Sequence, residues 1–280
     1  MDITVFLAVL AAAVLHAGWN VLVKLKLDRF LSLCLIQTMM GVVGLFMLAA
    51  FPWPSLASLP YALASGVLHL GYNLFLARSY RTGDLSQVYP IARGAAPLLT
   101  LLITWIVVHE EISAIGALGV AILVAGIWFV SLVGKRGIRL DGLTLFFAIG
   151  TSIFVAAYTV VDGLGGRVSG SASAYAGMVF VFDAAFLATT AIAMRGPGIV
   201  REVAPYWKSG MAGAAMSAGA YWIAIWAMSL APIAAVAALR ETSILVVMLL
   251  SMRVLKETVS LPRLAGAALI VVGAVLIRLS

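Results

Sequence analysis

The chain has 280 residues, of which 64% are apolar and 10% charged, and its formal net charge is +7. An ordinary soluble domain is ~45–50% apolar and ~25% charged, so this composition excludes a soluble globule. The single cysteine, Cys34, lies inside an apolar run, which excludes a disulfide framework and Cys/His metal chemistry.

The apolar runs are continuous, not alternating, and so predict membrane-spanning helices instead of barrel strands. At about 20 residues per crossing, hydropathy and its interruptions predict ten spans. The first, residues 3-24, is too long for a signal-peptide core and is not preceded by a basic stretch; it carries His16, Trp19 and Asn20. Residues 30-50 form the second. The third, 60-80, has an inward polar stripe of Ser65, His69, Tyr72 and Asn73.

In the fourth, 85-108, Ser86, Tyr89, Pro90, Arg93, Pro97, Thr100 and Thr104 recur at helical spacing, so one face holds nearly all the polar groups. In lipid such a face must turn inward, and its two prolines free carbonyls for a ligand or water. The fifth span, 113-133, contains Gly119 and Gly126, and the sixth, 142-162, contains Tyr158 and Thr159. The seventh, 172-194, carries Tyr175, Phe182, Asp183 and Phe186, and the eighth, 207-230, carries Tyr221, Trp222 and Ile225. Arg240 and Glu241 fall in the ninth, 232-252, and the tenth is 261-279. Trp53, Tyr61, Tyr206 and Trp207 sit near span ends and are read as interfacial anchors.

Ten spans put the connectors alternately on two sides. Fourteen of the 18 Lys and Arg residues gather on one side, only Arg167 and Arg278 on the other, and Arg93 and Arg240 lie within spans. The positive-inside rule then places both termini outside. The positive charge is thus an orientation signal, and no basic soluble surface for nucleic acid is visible.

At a fixed offset of 147 residues, Arg93 falls on Arg240, Glu110 on Glu257, Ser113 on Ser260, Gly119 on Gly266 and Gly126 on Gly273. This register predicts a duplication of five spans, residues 1-134 and 135-280. Because five is odd, the second copy enters from the opposite side. The predicted fold is therefore all-α, a polytopic membrane protein of ten transmembrane helices in two inverted five-helix repeats.

Arg93 lies about 12 Å into a ~30 Å hydrocarbon core, and Arg240 the same distance from the opposite face. An arginine at that depth faces a wet cavity or a partner. Either both guanidiniums border a substrate chamber, or each pairs with an acid or with the carbonyls of a broken turn, Glu241 beside Arg240 favouring the latter reading for the second copy. Converging aromatic and amide groups would stack on an apolar side chain while bonding a polar head. The candidate substrate-binding residues are His16, Trp19, Asn20, His69, Tyr72, Asn73, Tyr89, Arg93, Tyr158, Asp183, Tyr221, Trp222, Arg240 and Glu241. His16, His69, Asp183 and Glu241 are also the candidates for a proton carrier. Glu110 and Glu257, at the ends of the fourth and ninth spans, are read as structural, compensated by a basic neighbour or a helix N-terminus, with Ser113 and Ser260 as helix caps. The seven-residue glycine spacing predicts a close packing seam. Phosphate-loop, HExxH, CxxC and TVGYG motifs are missing from the sequence, and no cofactor is expected.

The stretches HAGWN at 16-20, YPIARGAAP at 89-97, HEEISAIGALGVAILVAG at 109-126 and LKETVSLPRLAGAALIVVG at 255-273 resemble the EamA-type branch of the drug/metabolite transporter superfamily. The resemblance covers essentially the whole chain, with YddG-like amino-acid exporters one relative within it; Ile244 replaces in the second half the Pro97 of the first. It implies secondary transport, usually export, of small metabolites such as amino acids, from the plasma (bacterial inner) membrane. Combined with the residues, it leads to an expected alternating-access exporter and not an enzyme. Arg93 would attract the substrate carboxylate and Asn20 or Tyr89 would assist. The alternatives are an intramembrane lipid-modifying enzyme, for which Asp183 and His69 are the hints, or a non-transporting membrane scaffold. Expected partners are a small-molecule substrate and the lipid bilayer, with the monomer as working unit.

Overall fold

The computed structural model describes residues 1–22, 29–82, 93–132, 142–254 and 260–280, and every regular element among them is helical. The elements are α1 (Ile3–Leu22), α2 (Arg29–Ala50), α3 (Leu59–Thr82), α4 (Ala96–Ile103), α5 (Ala114–Leu132), α6 (Gly142–Val168), α7 (Ala172–Arg195), α8 (Trp207–Leu230), α9 (Ile233–Arg240), α10 (Ser243–Val254) and α11 (Leu261–Leu279). A one-turn helix, Ile199–Val203, precedes α8. Eight helical segments are long and apolar enough to cross a membrane, and Ala96–Val108 is a shorter apolar one. To these α3 adds 24 residues whose inward stripe of Ser65, His69 and Asn73 is buried, which is why its sequence is less apolar than its neighbours'. The outward residues are those of a protein solvated by lipid: Leu45, Phe46, Trp105, Ile106, Val107 and Phe146 are all exposed.

Two elements depart from the expected spans. Helix α6 does not stop at 162 but runs to Val168, so that Asp162 is buried within a helix instead of marking its end. The ninth span is interrupted. The amide of Glu241 donates to the Ala238 carbonyl at 3.0 Å and that of Thr242 to Leu239 at 3.1 Å, a local tightening to i→i−3 bonds that separates α9 from α10. In the fourth span a helical turn at Arg93 and Gly94 is likewise followed by a bend at Ala95 before α4. Residues 85–92 of that span, with Ser86, Tyr89 and Pro90, lie outside the described residues, as does Glu257.

Helix pairing positions everything else. The closest partners are α5 with α11, α2 with α7, α3 with α6 and α1 with α8, while α4 lies against α6 and α9. In the α5–α11 pair, a Cβ on Gly119 would meet the Gly273 carbonyl oxygen at 2.9 Å, and one on Gly126 the Gly266 carbonyl at 2.8 Å. The expected glycine seam is thus an antiparallel backbone-to-backbone contact.

The chain ends lie at one end of the bundle, where the Met1 ammonium donates to the Arg278 carbonyl at 3.5 Å and the Ser55 amide to the Ser169 carbonyl at 2.8 Å. At the same end the fourth span closes in a π-helical turn, Thr104–Val108, and a left-handed His109 (φ 56°, ψ 34°). This geometry turns Glu110 inward, where one carboxylate oxygen accepts from the Ile233 amide at the start of α9 (2.9 Å) and the other from Arg167 (2.5 Å). Arg167 also donates to the carbonyls of Met228 (2.9 Å) and Ala231 (3.0 Å). The structural reading of Glu110 holds, its compensation coming from both a cation and a helix N-terminus. Ser113 caps α5 through the Gly116 amide at 3.0 Å, whereas Ser260 makes no side-chain cap on α11. At the opposite end the Arg195 guanidinium lies 5.2 Å from the Phe30 ring centroid.

Candidate functional site

The breaks in the fourth and ninth spans bring Arg93, Arg240 and Glu241 into the bundle centre, each less than a tenth exposed. Helices end their backbone ladders there, and interrupted spans of this kind build the binding sites of many secondary transporters. Arg93 is not paired with its sequence counterpart. It grips Glu241 with two nitrogens, Nη2 to Oε1 at 2.8 Å and Nε to Oε2 at 3.2 Å, an ion pair that joins the two halves of the chain. Its Nη2 is also 3.1 Å from His16 Nε2, and Trp19 Nε1 is 3.2 Å from His16 Nδ1. A neutral imidazole accepts at only one ring nitrogen, so Arg93 and Trp19 compete for His16.

With Glu241 taken by Arg93, Arg240 makes no ion pair among the described residues. Its guanidinium lies over the Tyr221 ring, 4.9 Å from the centroid, and its Nε is buried with no hydrogen-bond partner among the described residues. Tyr221 donates its hydroxyl to Asp162, which also accepts from Tyr175 at 3.1 Å and from Ser65. His69 turns Nδ1 to the Ser65 carbonyl (3.0 Å) and hydroxyl (3.1 Å) and stacks on Tyr158 with ring centroids 3.9 Å apart. Tyr72 meets Tyr158 edge-on at 5.8 Å.

These groups surround a cavity of about 60 Å³, room for a few water molecules. Its walls include ten of the candidate residues: His16, Trp19, His69, Tyr72, Asn73, Arg93, Tyr158, Asp183, Tyr221 and Arg240. Glu241 stands behind Arg93. Asn20 turns its amide back to its own helix, donating to the His16 carbonyl at 2.8 Å. Trp222 lies elsewhere, donating to Ser173 Oγ at 2.9 Å and meeting Phe51 at 5.5 Å. Tyr89 is outside the described residues.

Seven of the 17 lining residues are absent from the candidates. Among them, Gln37, Met40 and Phe180 line the cavity from α2 and α7. Gln37 is the one amide in the apolar run from Leu31 to Met40, and a lone polar group in lipid is the signal that marks it. Asp162 escapes because hydropathy closes the sixth span at the first charge met. No group of three or more potential metal ligands occurs among the described residues.

The chemistry available is therefore polar recognition. One guanidinium and one carboxylate, Arg240 and Asp183, stand in the cavity wall without an ion-pair partner among the described residues, flanked by aromatic rings and by the apolar Ile36, Met40 and Val179. Arg93 and Glu241 cancel one another.

Residues 3–132 and again 142–279 match the family described as "EamA-like transporter family". The chain is also similar, at 17% identity and a TM-score of 0.79 over 100% of its own length and 98% of the other's, to a solved structure titled only "Crystal structure of protein"; at that identity the likeness is one of fold. No curated protein matches it.

Proposed function

The chain belongs to the EamA-like transporter family of the drug/metabolite transporter superfamily, and from that premise we propose that it is a secondary transporter exporting a small metabolite, an amino acid before others, by alternating access. The observation that carries the substrate reading is Arg240, which stands in the cavity wall without an ion-pair partner among the described residues. A buried guanidinium with no acid costs several kcal/mol unless an anion satisfies it. A carboxylate is the planar acceptor that matches its donors. The anion site thus moves from Arg93, the first expectation, to its repeat counterpart.

Alternating access rests on the duplication. The family matches the chain twice, over residues 3–132 and 142–279. Ala95, where the fourth span bends, and Thr242, where the ninth breaks, are equivalent at the 147-residue offset. The closest helix pairs also map onto one another when the halves are exchanged: α3–α6 becomes α8–α1, and α2–α7 and α5–α11 become themselves. Two inverted five-helix units, 1-134 and 135-280, rocking about these contacts would expose the central cavity first to one side and then to the other. At about 60 Å³ the cavity holds water but no amino acid, so the cycle would have to widen it to admit substrate. The positive-inside count supports a plasma-membrane orientation with both termini outside, and the family resemblance supports export; a monomer of the YddG-like amino-acid exporter type is part of the proposal.

Counterflow of labelled amino acids in proteoliposomes tests this reading. Exchange by the wild type, lost in Arg240→Ala with folding intact, is expected. An amino-acid panel without exchange, or an Arg240→Ala variant that exchanges normally, would overturn the assignment.

A further inference from the structure

We infer that Asp183, Asn73 and Gln37 form a cradle for a protonated amine in the wall of the central cavity. This rests on the transporter reading and deepens it, since it requires the transported molecule to carry a positive group. Asp183 on α7 is 4% exposed and makes no hydrogen bond or ion pair among the described residues, its Oδ1 being buried and unsatisfied. Asn73 on α3 is 1% exposed. Its Nδ2 donates to the His69 carbonyl at 2.9 Å, which fixes the amide so that Oδ1 is left over, again buried and unpartnered. Gln37 on α2 contributes a third buried oxygen, Oε1, without a donor. All three residues line the same cavity.

Buried acceptors without donors are rare in folded proteins, and here three of them belong to residues from three different helices that line one small cavity. Water would supply hydrogens to the amides but would leave the carboxylate charge uncompensated in a low-dielectric interior. A cation does both without the carboxyl having to take up a proton, and neither arginine of the cavity wall pairs with Asp183: Arg93 is held by Glu241, and Arg240 lies over Tyr221. An alkylammonium presents three N–H donors to three oxygens. The neighbouring Ile36, Met40, Val179 and Phe180 offer its alkyl part an apolar wall. With Arg240 as the anionic-group partner, the cavity then has two poles, and a zwitterion satisfies both.

The test uses the purified full chain in lipid nanodiscs and follows ligand-induced thermal stabilisation by leucine, isopentylamine, 4-methylpentanoate and sodium ion, in the wild type, Asp183→Asn and Gln37→Met. Isopentylamine and leucine should protect the wild type. Asp183→Asn should weaken leucine by about tenfold or more and abolish protection by the amine, because a charge-assisted contact is lost. The binding of 4-methylpentanoate, which addresses Arg240 alone, should be unchanged and shows that the variant is folded. Gln37→Met should weaken the amine by a smaller factor. Amine protection that survives in Asp183→Asn, its absence from the wild type, or protection by sodium ion in place of the amine overturns the inference. Asp183-dependent binding of isopentylamine without binding of leucine would instead overturn the amino-acid reading and leave the cradle standing.

Discussion

Arg93 and Arg240 occupy equivalent places in the duplicated sequence but not equivalent electrostatic roles, and a single acid makes the difference. Glu241 follows Arg240 in the chain, yet on the tightened turn between α9 and α10 its carboxylate reaches Arg93 instead. Adjacent residues on a helix project about 100° apart, so nearness in sequence is a poor guide to pairing. Removing one member strands the other's charge in the bundle centre. Arg93→Ala is expected to destabilise the protein by about 3–5 kcal/mol, read as a lowered thermal midpoint in detergent, whereas the double variant Arg93→Met with Glu241→Leu should recover much of the loss. A single variant as stable as the wild type would mean that the pair is solvated and not buried. The same logic explains which site residues are legible. His16, His69, Tyr72, Asn73 and Asp183 are polar groups at helical spacing inside apolar runs, and lipid forces them inward. Asp162 has the same property, but it sits where a span of ordinary length is expected to end.

Among elements, the seam between α5 and α11 is the sharpest case of sequence dictating packing. Glycines seven residues apart on both helices meet in antiparallel register, and Gly273 is so close to α5 that a Cβ would lie 2.6 Å from the Leu123 amide nitrogen. A side chain there must push the backbones of both helices apart, whereas one at Gly142, where α6 begins, would meet nothing within 4 Å. Gly126→Leu is therefore expected to lose folded yield and several degrees of thermal midpoint, with Gly142→Ala unaffected; equal behaviour of the two in a detergent thermal-shift measurement would refute the seam. The cap on α9 makes a second test. Glu110→Ala leaves the Ile233 amide without its acceptor and Arg167 with carbonyls alone, a loss of about 1–3 kcal/mol. Glu110→Gln, whose amide oxygen still accepts from Ile233, should recover some of it. What the sequence hides at this scale is the break after Arg240. Its residues, Leu-Arg-Glu-Thr-Ser, contain neither proline nor glycine, so no helix breaker marks it; at the break the Arg93–Glu241 pair supplies a tertiary contact, and the Thr242 hydroxyl supplies a local one, donating to the Leu239 carbonyl at 2.7 Å.

At the scale of the whole molecule, the helices alternate between two ends, with the N-terminus, the Ser55 and Ser169 turns, Glu110, Arg167 and the C-terminus together at one of them. An even number of crossings is the topology that brings both termini to one side, and the proposed ten crossings would let each five-helix unit be the inverse of the other. Charge then chooses the side: among the described residues the opposite end includes Arg78, Arg195, Arg201, Lys208, Arg253 and Arg263, while this end carries Arg167 and Arg278. Since Cys34 is the single cysteine and is buried, a Cys34→Ala background allows unambiguous labelling at introduced cysteines. In intact cells a membrane-impermeant maleimide should reach both Asp2→Cys and Ser280→Cys, and should reach Arg201→Cys only after permeabilisation. If all three patterns are reversed, the bundle is as described but mounted the other way, and the charge rule has been outweighed. If the two termini label on different sides, the crossing number is odd, the second half does not invert the first, and the rocking of two antiparallel units about the Arg93–Glu241 pair loses its basis.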